Sequence, residues 1–114
     1  MILGIIPDAF AAETLLNNLS EADFNLGDVS LIMRDQELRD KIAEDLGPLS
    51  GVRYDQISTW LVQAGLSAPD AQSYQEAVAQ GKVLAVMDAA PDLVEAVKEM
   101  FTDQSGESIT EIKS

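Results

Sequence analysis

Two short apolar runs, far apart in the chain, constrain this sequence more than anything else in it. Gly81-Lys82-Val83-Leu84-Ala85-Val86-Met87 is entered through a glycine and left through Asp88, and Met1-Ile2-Leu3-Gly4-Ile5-Ile6 stands at the other end. Apolar runs this short, bounded by turn formers, fit strands buried on both faces better than helices. We expect the two to pair as the central strands of one sheet.

The elements between them follow from capping and periodicity. Asp8 can cap a helix whose Ala12, Leu15, Leu16 and Leu19 fall on one face. Asn25-Leu26-Gly27-Asp28 is turn chemistry, and Val29-Ser30-Leu31-Ile32-Met33 reads as a second strand. Asp35 can cap a second helix carrying Leu38, Ile42 and Leu46, which Gly47-Pro48 stops. A small-residue link, Gly47 to Gly51, leads to Asp55, the expected cap of a third helix with Ile57, Trp60, Leu61 and Ala64 inward. Ser67-Ala68-Pro69-Asp70 starts a fourth helix with the stripe Ala71, Tyr74 and Val78, terminated by Gly81. After the apolar run, Pro91 opens a helix with Leu93, Ala96, Val97, Met100 and Phe101 inward, and Glu107 to Ile112 alternates weakly as an edge strand.

Laying Val83 on Ile2, an offset of 81 residues, also lays Leu93 on Ala12, Val97 on Leu16 and Met100 on Leu19. The layout is a duplicated strand–helix–strand unit. One domain spanning 1–114 is expected: a first βαβ half over 1–34, a helical insert over 35–80 and a second βαβ half over 81–114. Its class is α+β, a ferredoxin-like βαβ-(helical insert)-βαβ with a four-stranded sheet, first and third strands central and both repeat helices on one face. Either the insert covers the other face or two copies meet sheet to sheet. A doubly wound α/β sheet, the competing layout, needs more parallel strands than the sequence offers.

Composition narrows function by exclusion. The chain has no cysteine and no histidine, which removes thiolate chemistry, the commonest general base and the usual transition-metal ligand. Twenty acidic against seven basic residues give a net charge of −13, a field that repels phosphate backbones and anionic lipid. No nucleic acid and no membrane partner is expected. The N-terminal apolar run lacks a basic flank and breaks at Pro7-Asp8, so it reads as a strand rather than a signal peptide, and the protein as cytoplasmic.

Local motifs add little chemistry. Asp23 to Asp28 has oxygen ligands at alternate positions, but Asp28 stands where a calcium loop needs glycine and Arg34 where it needs glutamate. Gly47-Pro48-Leu49-Ser50-Gly51 lacks the Gly-Lys-Ser/Thr ending of a phosphate loop. The pairs Asp40 with Glu44 and Glu95 with Glu99 belong to solvated helix faces. No catalytic, cofactor-binding or metal-binding residue is assigned. Trp60 and Tyr74 are expected as packing anchors with polar tips, and Gly81 as the residue that terminates the fourth helix and enters the central strand; these three are the candidate structural or interaction positions.

Ile2-Leu3-Gly4-Ile5-Ile6-Pro7-Asp8, followed by Ala11-Ala12-Glu13 and Leu16, resembles the opening of bacterial general stress proteins of the 17M-like, heat-induced family. Ala64 to Ala71, Tyr74 to Val78 and Gly81 to Val86 are similar to that family's run of glycine, acid-rich helix start, tyrosine, glutamate, glycine and apolar strand. The resemblance covers nearly the whole chain. It implies a compact α+β stress-associated domain without transferable catalytic residues, in a short form lacking the glycine-rich apolar hairpin that many relatives carry. The expected function is therefore a non-enzymatic, soluble, stress-associated interaction or regulatory domain that self-associates, a dimer being favoured, or binds another protein. The alternative is a small-ligand sensor holding an effector at a subunit interface; that rests on fold analogy.

Overall fold

In the computed structural model, residues 1–42 and 52–112 are described. Four strands, β1 (Ile2–Ile6), β2 (Val29–Ile32), β3 (Val83–Met87) and β4 (Glu107–Glu111), form one sheet in the order β2-β3-β1-β4. All three pairings are antiparallel, which excludes the doubly wound layout. The two apolar strands pair directly, with Ile2 opposite Met87 and Ile5 opposite Leu84.

Every residue of β1 and β3 is buried because helices cover both faces of the sheet. Side chains alternate between faces along a strand. Ile2, Ile6, Val83 and Met87 therefore meet α1 (Ala9–Glu21) and α5 (Val94–Asp103), while Leu3, Ile5, Leu84 and Val86 meet α3 (Ile57–Gln63) and α4 (Ala68–Ala79). The insert thus supplies the second cover, and the option of two copies meeting sheet to sheet is removed. The remaining helix, α2 (Gln36–Ile42), buries no residue of its own and lies beside α1.

Caps fall where the sequence puts them for α1 and α4. Ala11 N donates to Asp8 Oδ1 at 2.8 Å, and Asp70 N to Ser67 Oγ at 3.4 Å. Other expectations are corrected. Asp55 does not cap α3: it lies inside a 3₁₀ turn, Tyr54–Gln56, that runs into the helix without a side-chain cap. Pro91–Leu93 likewise forms a 3₁₀ turn, and its tighter winding swings Leu93 outward, to 40% exposure, so that the buried stripe of α5 is Val94, Val97 and Phe101. Ala96 is exposed as well. The two halves still correspond, but the helix of the second half enters its stripe one residue later than the strand offset requires: Val94, Val97 and Phe101 stand for Ala12, Leu15 and Leu19. Leu38, expected inward, is 39% exposed. Leu46, Glu44 and the Gly47–Gly51 link lie outside the described residues.

The edge strands differ from each other. In β2, Val29, Leu31 and Ile32 have no exposure and Ser30 has 3%, so even the outer side of this strand is sheltered. β4 is largely exposed and irregular: its register against β1 shifts between Leu3 and Ile5, where Ser108 takes a left-handed φ of 53°. This is a β-bulge on an acidic edge.

Candidate functional site

The three positions singled out in the sequence do not converge. Trp60 is partly buried on α3, packed against the core and beside Val52. Gly81 takes φ of 100° in the turn between α4 and β3, a conformation that favours glycine, with open space around its Cα. Tyr74 is 4% exposed on α4, and its hydroxyl crosses to β4, donating to the Ser108 carbonyl and lying 3.2 Å from Thr110 Oγ1.

Tyr74 therefore ties the bulge of the edge strand to the insert. Burial pushes its phenol up from the ordinary value; the hydrogen bond to Thr110 opposes this and the Asp70 carboxylate adds to it. The hydroxyl borders a small polar cleft of about 350 Å³ with Asp70, Ser73, Lys82 and Glu107. Lys82 Nζ lies 3.5 Å from Glu107, a solvent-exposed pair that links the start of β3 to the start of β4. These contacts hold β4 on the domain, and none of them pairs a nucleophile with a base.

A larger and more apolar groove, about 870 Å³ and open to solvent, lies at the corner where the start of α1, the end of β2 and the start of α2 meet. Phe10 and Leu38 supply its exposed apolar surface, and Met33, which also lines it, is buried in the core. Phe10 is 79% exposed, the most exposed large hydrophobic side chain among the described residues. Asp8, Asp35 and Glu37 stand on the rim. Two of these carboxylates also cap the helices that frame the groove, Asp8 on α1 and Asp35 on α2, where Leu38 N donates to Asp35 Oδ1 at 3.1 Å. Arg34, the cation among the lining residues, turns its Nη1 to the Ala79 carbonyl at 3.0 Å, at the C-terminal end of α4.

Sequence reading missed this corner. The available signal was Phe10 itself: it lies two residues before Ala12, about 200° around the helix from the buried stripe, so the core cannot use it. The Asp23 to Asp28 segment, which lacks the glycine and glutamate of a calcium loop, is a turn, as its residues suggest. Asp23 takes φ of 66° after α1, and Asn25 Oδ1 accepts from Gly27 N at 2.8 Å. Among the described residues no cluster of three or more acidic groups is placed to hold a metal ion, and no helix is long and apolar enough to cross a membrane. No family model matches the chain, and neither a curated protein nor a solved structure matches it.

Proposed function

We propose that this chain is a non-enzymatic interaction domain, soluble and cytoplasmic, of the stress-associated kind its sequence resembles, and that it works by burying the Phe10 corner against another protein surface. Its sheet order and the placement of α1 and α5 on one face support reading the architecture as ferredoxin-like. The observation that carries the functional reading is the 79% exposure of Phe10 beside Leu38 in an open groove, well above the 46% of Val62 and 40% of Leu93. Full burial of such a ring contributes about 1.5–3 kcal/mol.

Self-association belongs to this reading, and the same corner is where the described surface favours it. Both faces of the sheet are covered, and β2 is sheltered. Pairing of two β4 edges about Ile109 would set Glu107 of one copy opposite Glu111 of the other, like charges facing across strands. Sedimentation equilibrium of the wild type and Phe10→Ser tests the reading. We expect concentration-dependent association that strengthens with added salt, because two acidic rims repel within a Debye length of about 8 Å at physiological ionic strength, and we expect Phe10→Ser to abolish it. Association unchanged in Phe10→Ser contradicts the assignment to this corner.

The polar cleft beside Tyr74 favours a second reading, a small-ligand sensor, since it offers one ammonium, two carboxylates and several hydroxyls to a zwitterion. A thermal-shift screen with amino acids and nucleotides tests it; a ligand at 100 times its Kd adds about 2.7 kcal/mol. An absence of any shift argues against this reading.

A further inference from the structure

We infer that the Phe10 corner is a docking site for a protein segment in which basic residues flank an apolar anchor. The inference rests on reading the corner as an interaction surface, and it names the chemistry of the occupant. The exposed apolar centre is Phe10 and Leu38, with the buried Met33 also among the lining residues. Around it stand three carboxylates, Asp8, Asp35 and Glu37.

Arg34, whose Nη1 donates to the Ala79 carbonyl at 3.0 Å, is one cation against these three carboxylates, so the lining keeps a net negative charge. Asp8 and Asp35 accept cap hydrogen bonds through one oxygen each, and they are held at the mouth by the helices they cap. Lys or Arg flanking an apolar anchor meets both halves of this surface: the anchor covers Phe10 and Leu38, and the cations face the carboxylates. The whole molecule acts in the same direction, since a net charge of −13 draws a basic segment in and speeds its encounter. A second copy of the chain can cover the same apolar patch, but it sets carboxylate against carboxylate, so at low salt it is the weaker occupant. Salt should therefore act oppositely on the two occupants, weakening the basic segment and strengthening self-association.

The test uses a short, fluorescently labelled peptide of leucine and lysine with its leucines on one helical face, titrated into the full chain, beside the same peptide with glutamate in place of lysine. The lysine peptide should bind and the glutamate peptide should not. Phe10→Ser leaves the net charge unchanged and should weaken the lysine peptide at least about tenfold, which is the loss of one buried aromatic ring. Asp35→Asn with Glu37→Gln, which keeps a capping side chain at position 35, should weaken binding and flatten its salt dependence. Amide chemical shifts of the wild type should move at Ala9, Phe10 and from Arg34 to Leu38.

Equal affinity for Phe10→Ser, or shifts scattered over the acidic surface, would show charge attraction alone and overturn the inference. If Phe10→Ser abolishes self-association and the lysine peptide cannot displace the second copy, the occupant is another copy of this chain; the docking inference falls while the interaction-surface reading stands. If Phe10→Ser alters neither self-association nor peptide binding, both fall. Circular dichroism of each variant confirms that it folds, as expected for substitutions at exposed positions.

Discussion

Tyr74 shows how one side chain links two parts of the molecule that local sequence keeps apart. Its ring fills the core under α4, and its hydroxyl satisfies the carbonyl that the Ser108 bulge turns away from the sheet ladder. Tyr74→Phe should cost about 1–3 kcal/mol, since the Ser108 carbonyl then keeps only the long contact from Thr110 Oγ1 at 3.4 Å. Urea unfolding followed through the single tryptophan, Trp60, measures this. The phenol also sets a pH dependence with a definite sign. Its folded pKa is raised above the ordinary value of 10.0, so the folded state keeps its proton where the unfolded chain loses it. The associated stability is fully present below the unfolded pKa and is lost as pH rises from about there through the folded pKa. Tyr74→Phe should remove that part of the alkaline loss; an identical alkaline profile in the variant contradicts the assignment.

Two glycines carry a similar constraint without any left-handed backbone. A Cβ on Gly4 would sit 2.7 Å from Phe101 Cδ2, and one on Gly106 would sit 2.6 Å from the Phe101 carbonyl oxygen. That oxygen accepts from Gly106 N at 2.9 Å and Gln104 N at 3.2 Å, so it cannot move without breaking the end of α5. Each alanine should therefore destabilise by about 1–3 kcal/mol, Gly106→Ala more than Gly4→Ala, as measured by urea midpoints at constant slope. Equal stability of Gly106→Ala and the wild type would contradict the close approach.

At the scale of elements, what the sequence made legible was whatever depends on local pattern. The two continuous apolar strands, the α1 stripe, and the cap and stripe of α4 are set by neighbours a few residues away, and the structure places them as expected. The misses share a different cause. Leu93 reads as core by spacing, but the 3₁₀ turn from Pro91 changes the angle per residue just before α5, and the stripe starts one residue later. Asp55 has the chemistry of a cap, yet a 3₁₀ turn absorbs it into the approach to α3. Leu38 reads as an inward position of an amphipathic helix, but whether an apolar stripe is buried depends on what packs there, and α2 lies at the molecular corner. Trp60 and Tyr74 were both identifiable as anchors by residue type; that only Tyr74 reaches β4 depends on tertiary placement. Phe10 lies about 200° around α1 from Ala12, so the periodicity that marks the buried stripe carries no signal for it.

For the whole molecule, the decisive arrangement is a sheet sealed on both sides. With α1 and α5 over one face and α3 and α4 over the other, most of the described large apolar side chains lie inside, and a net charge of −13 dominates the outside. The sheltered β2 edge and the bulged, glutamate-flanked β4 edge both resist strand addition. Among the described residues the Phe10 corner offers a partner the most exposed large apolar side chain, Phe10 at 79% against 46% for Val62 and 40% for Leu93. Amide hydrogen exchange at low and high protein concentration tests this claim directly, because it reports which backbone becomes protected when copies meet. Added protection is expected in the first turn of α1 and from Met33 to Leu38, with β4 unchanged; protection gained along Glu107 to Glu111 while the start of α1 stays as it was would contradict an interface at the Phe10 corner.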